Sequence, residues 1–185
     1  MAKGTKITKE DEILLETFSS TAAVSSNKTS ALFILMSVGA VAPIIYLFYG
    51  INQMEIYDLT TALVIVASAV IGIGGLVHSY KNMATTYKPK IERAREAAIS
   101  REVLRELSDD KKMNKSEKEE RVLLKKNDHA AKEAAAFAVL FNNVMFTAVC
   151  LVCSFFLFAS FSGNVNFLLS FIVAGGAVAL YSTAK

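Results

Sequence analysis

Charged side chains are absent from three long stretches of the chain, residues 29–54, 59–80 and 134–184. At about 1.5 Å of rise per helical residue, roughly 20 residues cross a hydrocarbon layer about 30 Å thick. The first two stretches each suffice for one crossing, and the third suffices for two. The third is divided at residues 160–167, SFSGNVNF, where Ser, Gly and two Asn interrupt the apolar run with turn chemistry. The pattern predicts an all-α, polytopic membrane protein with four transmembrane helices at 30–54, 59–80, 134–160 and 167–184. Between the second and third lies a polar segment, 81–133, and ahead of the first a polar tail, 1–29.

Charge then orients the spans. Of the 20 Lys and Arg, 15 fall in 81–133, four in the tail, and the last is Lys185. The two short connections, 53–58 and 160–166, hold none, and the first carries only Glu55 and Asp58. The bias of Lys and Arg toward the cytoplasmic side therefore predicts that both termini and 81–133 are cytosolic. The first 29 residues contain neither an apolar signal core nor a small-residue cleavage site, so the first span is expected to direct insertion itself. The net charge of +3 averages over a segregated molecule and says little.

Few polar groups interrupt the spans. Cys150 and Cys153 share the spacing of a redox or zinc pair, but they fall inside an apolar span with no further ligand nearby, so they read as small packing residues. His78 stands at the end of the second span, where its ring reaches the interface. Nothing else in the spans is ionisable, which argues against a channel or transporter, since those place Asp, Glu, Lys or Arg within the membrane. Asn142 and Asn143 are expected to hydrogen-bond a neighbouring helix of this chain or a further membrane subunit. Ser68, Gly72 and Gly75 form a small-residue stripe on the second span, and Ser170, Ala174 and Ala177 form another on the fourth; such stripes let backbones approach closely. Pro43 is expected to kink the first span. No catalytic residue, cofactor or metal ligand is predicted.

The polar segment reads as two helices. Residues 88–107 begin with Pro89 in a first turn and carry Ile99, Val103 and Leu107 at helical spacing. Lys90, Arg93, Arg101 and Arg105 fall within an arc of about 120° on the opposite side, while Glu92, Glu96, Glu102 and Glu106 lie on the apolar side. A second helix begins near Asn114 or Ser116, each with a Glu three residues on in capping-box register. It carries Leu123, Ala130, Ala134, Phe137 and Phe141 on one stripe and is expected to run without a break into the third span. The segment is thus a helical hairpin, with Lys111, Lys112, Lys115 and Lys118 at its turn. Residues 111–127, KKMNKSEKEERVLLKKN, hold seven Lys or Arg.

Distance selects the partner of that turn. A helix of about 20 residues is about 30 Å long, so an upright hairpin holds its turn several Debye lengths, each about 8 Å, from the lipid headgroups. A hairpin lying flat would bring its four Glu against anionic lipid. The turn therefore suits an anionic body standing above the membrane. RNA phosphate fits, with contacts indifferent to sequence because no stacking aromatics accompany the lysines. A lipid-binding membrane organiser is the further alternative.

These residues also carry a resemblance. EDEILLETFSS near the start, NKTSALF at the first span, YKN after the second, KKMNKSEKEERVLLKKN in the hairpin, FNNVMF and SFF in the third span, VNFLLS in the fourth and STAK at the end together resemble the gamma subunits of the translocon-associated protein complex, also called signal sequence receptor gamma. The resemblance implies a non-enzymatic subunit of the endoplasmic reticulum membrane. It implies association with the alpha, beta and delta subunits beside the protein-conducting channel, and contact of the cytosolic hairpin with rRNA and protein of the large ribosomal subunit. Membrane lipid is the remaining partner. The chain has no Trp, so its lumenal interface is expected to rely on Tyr46, Phe48, Tyr49 and Tyr57.

Overall fold

The computed structural model describes residues 27–52, 57–107 and 115–184. Among these the chain forms four helices: α1 (Asn27–Asn52), α2 (Leu59–Leu107), α3 (Lys115–Val152) and α4 (Gly163–Thr183). A π-helical turn, Cys153–Leu157, closes α3. Each helix contains a window long and apolar enough to cross a membrane: Thr29–Ile51, Leu59–Arg95, Leu123–Leu157 and Gly163–Thr183.

Pro89 does not open a separate helix, as its sequence context suggests, but lies inside α2, which runs unbroken for 49 residues, or about 74 Å. An interior proline costs a helix about 3 kcal/mol. Packing against α3 on both sides of Pro89 offsets that cost: Met83 and Ala84 are buried before it, and Glu92 after it. The expected continuity of the hairpin's second arm with the third span is seen directly in α3, a single helix of 38 residues.

Burial follows a four-residue period on both long helices. On α2 the buried stripe is Leu76, Tyr80, Ala84, Lys88 and Glu92, and on α3 it is Ala130, Ala134, Ala138, Asn142, Phe146 and Cys150. The three alanines let the two backbones approach closely where α2 turns from apolar to charged. Leu123 and Phe137, expected on the same α3 stripe, are instead exposed, and Phe141 is half-buried.

Helix α4 packs on α2 through glycine. A Cβ at Gly75 would stand 3.2 Å from both Cα and O of Gly175, and one at Gly72 would stand 2.9 Å from the Phe171 ring. Ser68, Ser170 and Ala174 are buried and Ala177 is half-buried. Helix α1 joins through Phe33, whose ring lies 5.5 Å from that of Tyr80, and through Phe48, 4.8 Å from Phe167. Phe48 is therefore a core residue and not part of an interfacial belt. The reason is geometric, since its edge-on contact with Phe167 occupies the helix face opposite exposed Tyr46.

The connection between α3 and α4 is shorter than the expected turn at 160–167. Asn164 and Asn166 sit within the first turns of α4, where their side chains find partners on neighbouring elements. Asn164 Nδ2 donates to Thr61 Oγ1 at 3.1 Å, and Asp58 caps α2 by accepting from the N–H and the hydroxyl of Thr61, each at 3.2 Å. In the π-turn the Phe158 N–H reaches five residues back to the Cys153 carbonyl at 2.8 Å. The Ser154 carbonyl accepts instead from Asn166 Nδ2 at 3.1 Å, and Ser170 donates to Asn166 Oδ1 at 3.1 Å. A backbone acceptor inside the bilayer is thus satisfied by an asparagine.

Candidate functional site

The hairpin rises from a polar lock between α2 and α3. The Tyr80 hydroxyl donates to Asn143 Oδ1. Beside it, Asn142 Nδ2 donates to the Ala138 carbonyl at 2.6 Å and reaches Met83 Sδ at 3.2 Å. Asn82 Nδ2 donates to the Ser182 carbonyl at 2.9 Å, which fastens the end of α4 at the same level. The two asparagines therefore bond within this chain. Gly72 and Gly75 are likewise placed against α4, and Ser68 is buried.

An aromatic row follows. Tyr87, Phe137, Phe141 and Tyr181 form successive ring contacts with centroid separations of 4.9, 5.9 and 5.2 Å. Such rings suit the boundary between hydrocarbon and headgroups. Beyond the row the contacts between α2 and α3 become ionic. Arg95 Nη1 stands 2.7 Å from Glu133 Oε1, Lys126 Nζ lies 3.9 Å from Glu92 Oε1, and Lys88 is fully buried on the same side. Glu92, expected on the apolar side of its helix, is there facing α3.

The basic residues divide between a described row and the turn. Lys90, Arg93, Arg101 and Arg105 are all exposed on α2, and from Lys90 to Arg105 the row extends about 22 Å along the axis. Lys90 Nζ lies 4.9 Å from the centre of the Tyr87 ring, a cation–π contact that leaves the charge near the aromatic row. Lys111 and Lys112 lie outside the described residues. Lys115 and Lys118 belong to the first turn of α3, where their helical backbone alone is described. The helix dipole favours anions at that end, by about 0.3–1 kcal/mol per charge. Lysines there oppose local helix energetics.

The reach of α2 beyond the aromatic row follows from its length. From Tyr87, in the aromatic row, to Leu107 is 20 residues of unbroken α2, or about 30 Å. That is nearly four Debye lengths, each about 8 Å at physiological salt.

Sequence reasoning missed Tyr80, Lys88 and the two ion pairs between α2 and α3. One signal was available. Continuing the spacing of four from Leu76 through Tyr80 and Ala84 arrives at Lys88 and Glu92, the residues that carry the buried stripe out of the membrane. Cys150 and Cys153 are buried free thiols, and among the described residues no group of three or more His, Cys, Asp or Glu is placed to hold a metal ion. His78 is exposed.

A family model described as "Translocon-associated protein, gamma subunit (TRAP-gamma)" matches residues 10–184. The match takes in all four helices and the whole hairpin, and the chain therefore belongs to the translocon-associated protein gamma subunit family.

Proposed function

We infer that this chain is a non-catalytic membrane subunit of the translocon-associated complex of the endoplasmic reticulum, and that its hairpin contacts the translating ribosome during co-translational translocation. The observation that carries the reading is the continuity of α2, whose end at Leu107 stands about 30 Å along the helix axis from the Tyr87 level, next in sequence to the lysine-rich residues 111–118. Lipid lies beyond electrostatic reach of that turn. A ribosome offers a surface of RNA phosphate at such a height, and Lys111, Lys112, Lys115 and Lys118 supply point charges for it. Lys90, Arg93, Arg101 and Arg105 form a second row lower on α2, suited to a flanking contact with RNA or a ribosomal protein.

In this reading both termini and 81–133 are cytosolic, with the bundle beside the protein-conducting channel in company with the alpha, beta and delta subunits. The exposed apolar faces of α1 and α3, which include Leu35, Val38, Leu140 and Val144, meet lipid or those subunits. The test uses the full-length protein in lipid nanodiscs mixed with purified ribosomes. Reversing Lys111, Lys112, Lys115 and Lys118 to Glu is expected to abolish co-sedimentation, while reversing Lys90, Arg93, Arg101 and Arg105 weakens it less. A turn variant that co-sediments like the parent overturns the reading.

A further inference from the structure

Helix α2 turns from apolar to charged as it leaves the bilayer, and the cations there are unevenly employed. Residues 81–95 hold five Lys or Arg against one acid, Glu92. Lys88 is buried, Arg95 meets Glu133, and Glu92 faces Lys126. Lys81, Lys90 and Arg93 are exposed, and among the described residues none of these three has an acidic partner.

Depth separates these cations from those nearer the turn. Lys81 is the first charge after the apolar run, so the hydrocarbon ends near it, and a headgroup layer about 5–8 Å deep reaches outward toward Tyr87, about 9 Å further along the helix. Counted along the axis from Tyr87, Lys90 stands about 4–5 Å out and Arg93 about 9 Å, whereas Arg101 and Arg105 stand about 21 and 27 Å out. The first two lie within about one Debye length of the headgroups and the last two do not. Direction adds to the difference, because helical side chains lean toward the N-terminus of their own helix. On α2 that end lies in the bilayer, so Lys90 and Arg93 lean back toward lipid, while the lysines of α3, which runs the other way, lean outward. Lys90 displays the lean, with Nζ 4.9 Å from the centre of the Tyr87 ring three residues back. Beside that ring a cavity of about 530 Å³, lined in part by Tyr87, Ile91, Ala94 and Phe137, leaves room at headgroup level.

We propose that Lys90 and Arg93 bind the headgroup of an anionic phospholipid in the leaflet from which the hairpin rises, with the lipid's chains beside Tyr87 and Phe137. A spacing of three puts the two cations on one helix face, where they share one headgroup. Each basic residue close to an anionic membrane surface multiplies the attraction roughly fivefold, whereas a zwitterionic lipid offers the pair no net charge. The lower half of the basic row thereby serves the membrane and leaves Arg101 and Arg105 for contacts above it. The proposal stands on depth, direction and unpaired charge, and holds whether or not a ribosome binds the turn.

The full chain in nanodiscs, without ribosomes, tests it. The chain has no Trp, so Phe137→Trp, at a ring position 4.9 Å from that of Tyr87, supplies a single fluorescent reporter of the neighbouring lipid. Its quenching is measured with phosphatidylserine carrying brominated chains as a minor component in phosphatidylcholine, and is divided by the quenching from brominated phosphatidylcholine at the same mole fraction, which corrects for the reporter's own exposure. The ratio is expected to correspond to at least about fivefold enrichment of the serine lipid, and to fall toward one as salt rises from about 0.1 to about 1 M and the Debye length shrinks from about 10 to about 3 Å. Lys90→Glu with Arg93→Glu is expected to remove the enrichment, whereas Arg101→Glu with Arg105→Glu leaves it. Equal quenching by the two lipids in the parent overturns the proposal; so does enrichment that survives reversal at 90 and 93, or that is lost equally on reversal at 101 and 105.

Discussion

The guanidinium of Arg95 and the carboxylate of Glu133 meet at 2.7 Å, joining α2 to α3 beyond the aromatic row. Their side chains are 60% and 36% exposed, so water screens the pair, and an exposed ion pair contributes about 0–1 kcal/mol. The stiffness of the hairpin must come mainly from the alanine stripe beneath. Arg95→Ala is therefore expected to leave thermal stability of the purified protein nearly unchanged. Ala134→Leu places three extra carbons in a fully buried contact, with a cost of about 1–3 kcal/mol. Unfolding curves that rank the two variants the other way would show that ions brace the stalk.

Two glycines provide a matched comparison inside the membrane. A Cβ at Gly75 meets the backbone of Gly175, which has no side chain to swing aside, whereas at Gly39 nothing lies within 4 Å. Gly75→Leu is expected to force α2 from α4, destabilising the bundle by about 1–3 kcal/mol or more. Gly39→Leu is expected to be neutral or stabilising by up to about 1 kcal/mol through helix propensity. Denaturation in mixed micelles distinguishes the cases, and equal losses would contradict the close crossing.

The Tyr80–Asn143 bond is open to a double-mutant cycle. Tyr80→Phe, Asn143→Leu and the double variant should show a coupling of about 0.6 kcal/mol and no more than about 1.7 kcal/mol, the mean and maximum for hydrogen bonds between membrane helices. Additive losses would mean that the lock contributes packing alone.

The four spans were legible in the sequence because charge is excluded from hydrocarbon more strictly than any other residue property is patterned. Helix ends were less legible. Pro89 looked like a beginning because the local cost of proline is readable, whereas the packing of Met83, Ala84 and Glu92 that offsets it is a property of two helices together. Asn164 and Asn166 looked like turn residues for the same reason, since their partners Thr61 and Ser154 lie on other elements. The small residues at 68, 72 and 75 announced close approach without naming the helix approached. In the candidate site the basic residues stood out by density, while Lys88 and Glu92 did not, because burial of a charge depends on what faces it.

Orientation is tested by glycosylation. Asn27-Lys28-Thr29 and Asn114-Lys115-Ser116 both fit the acceptor pattern, and both lie on the side proposed to be cytosolic. Neither is expected to carry glycan when the protein is made in microsomes. A glycosidase-sensitive mass shift lost on Asn114→Gln would place the hairpin on the opposite side.

The most direct measurement of the ribosome contact is its salt dependence, taken with full-length protein in nanodiscs and purified ribosomes. Four lysine–phosphate contacts, each with a slope of about 0.7 to 0.9, weaken binding by on the order of 10² between 50 and 200 mM salt. Reversal of Lys111, Lys112, Lys115 and Lys118 to Glu should remove both the affinity and the slope. Binding that is unchanged across that salt range, or that survives the reversal at 200 mM, would contradict an electrostatic contact through the turn.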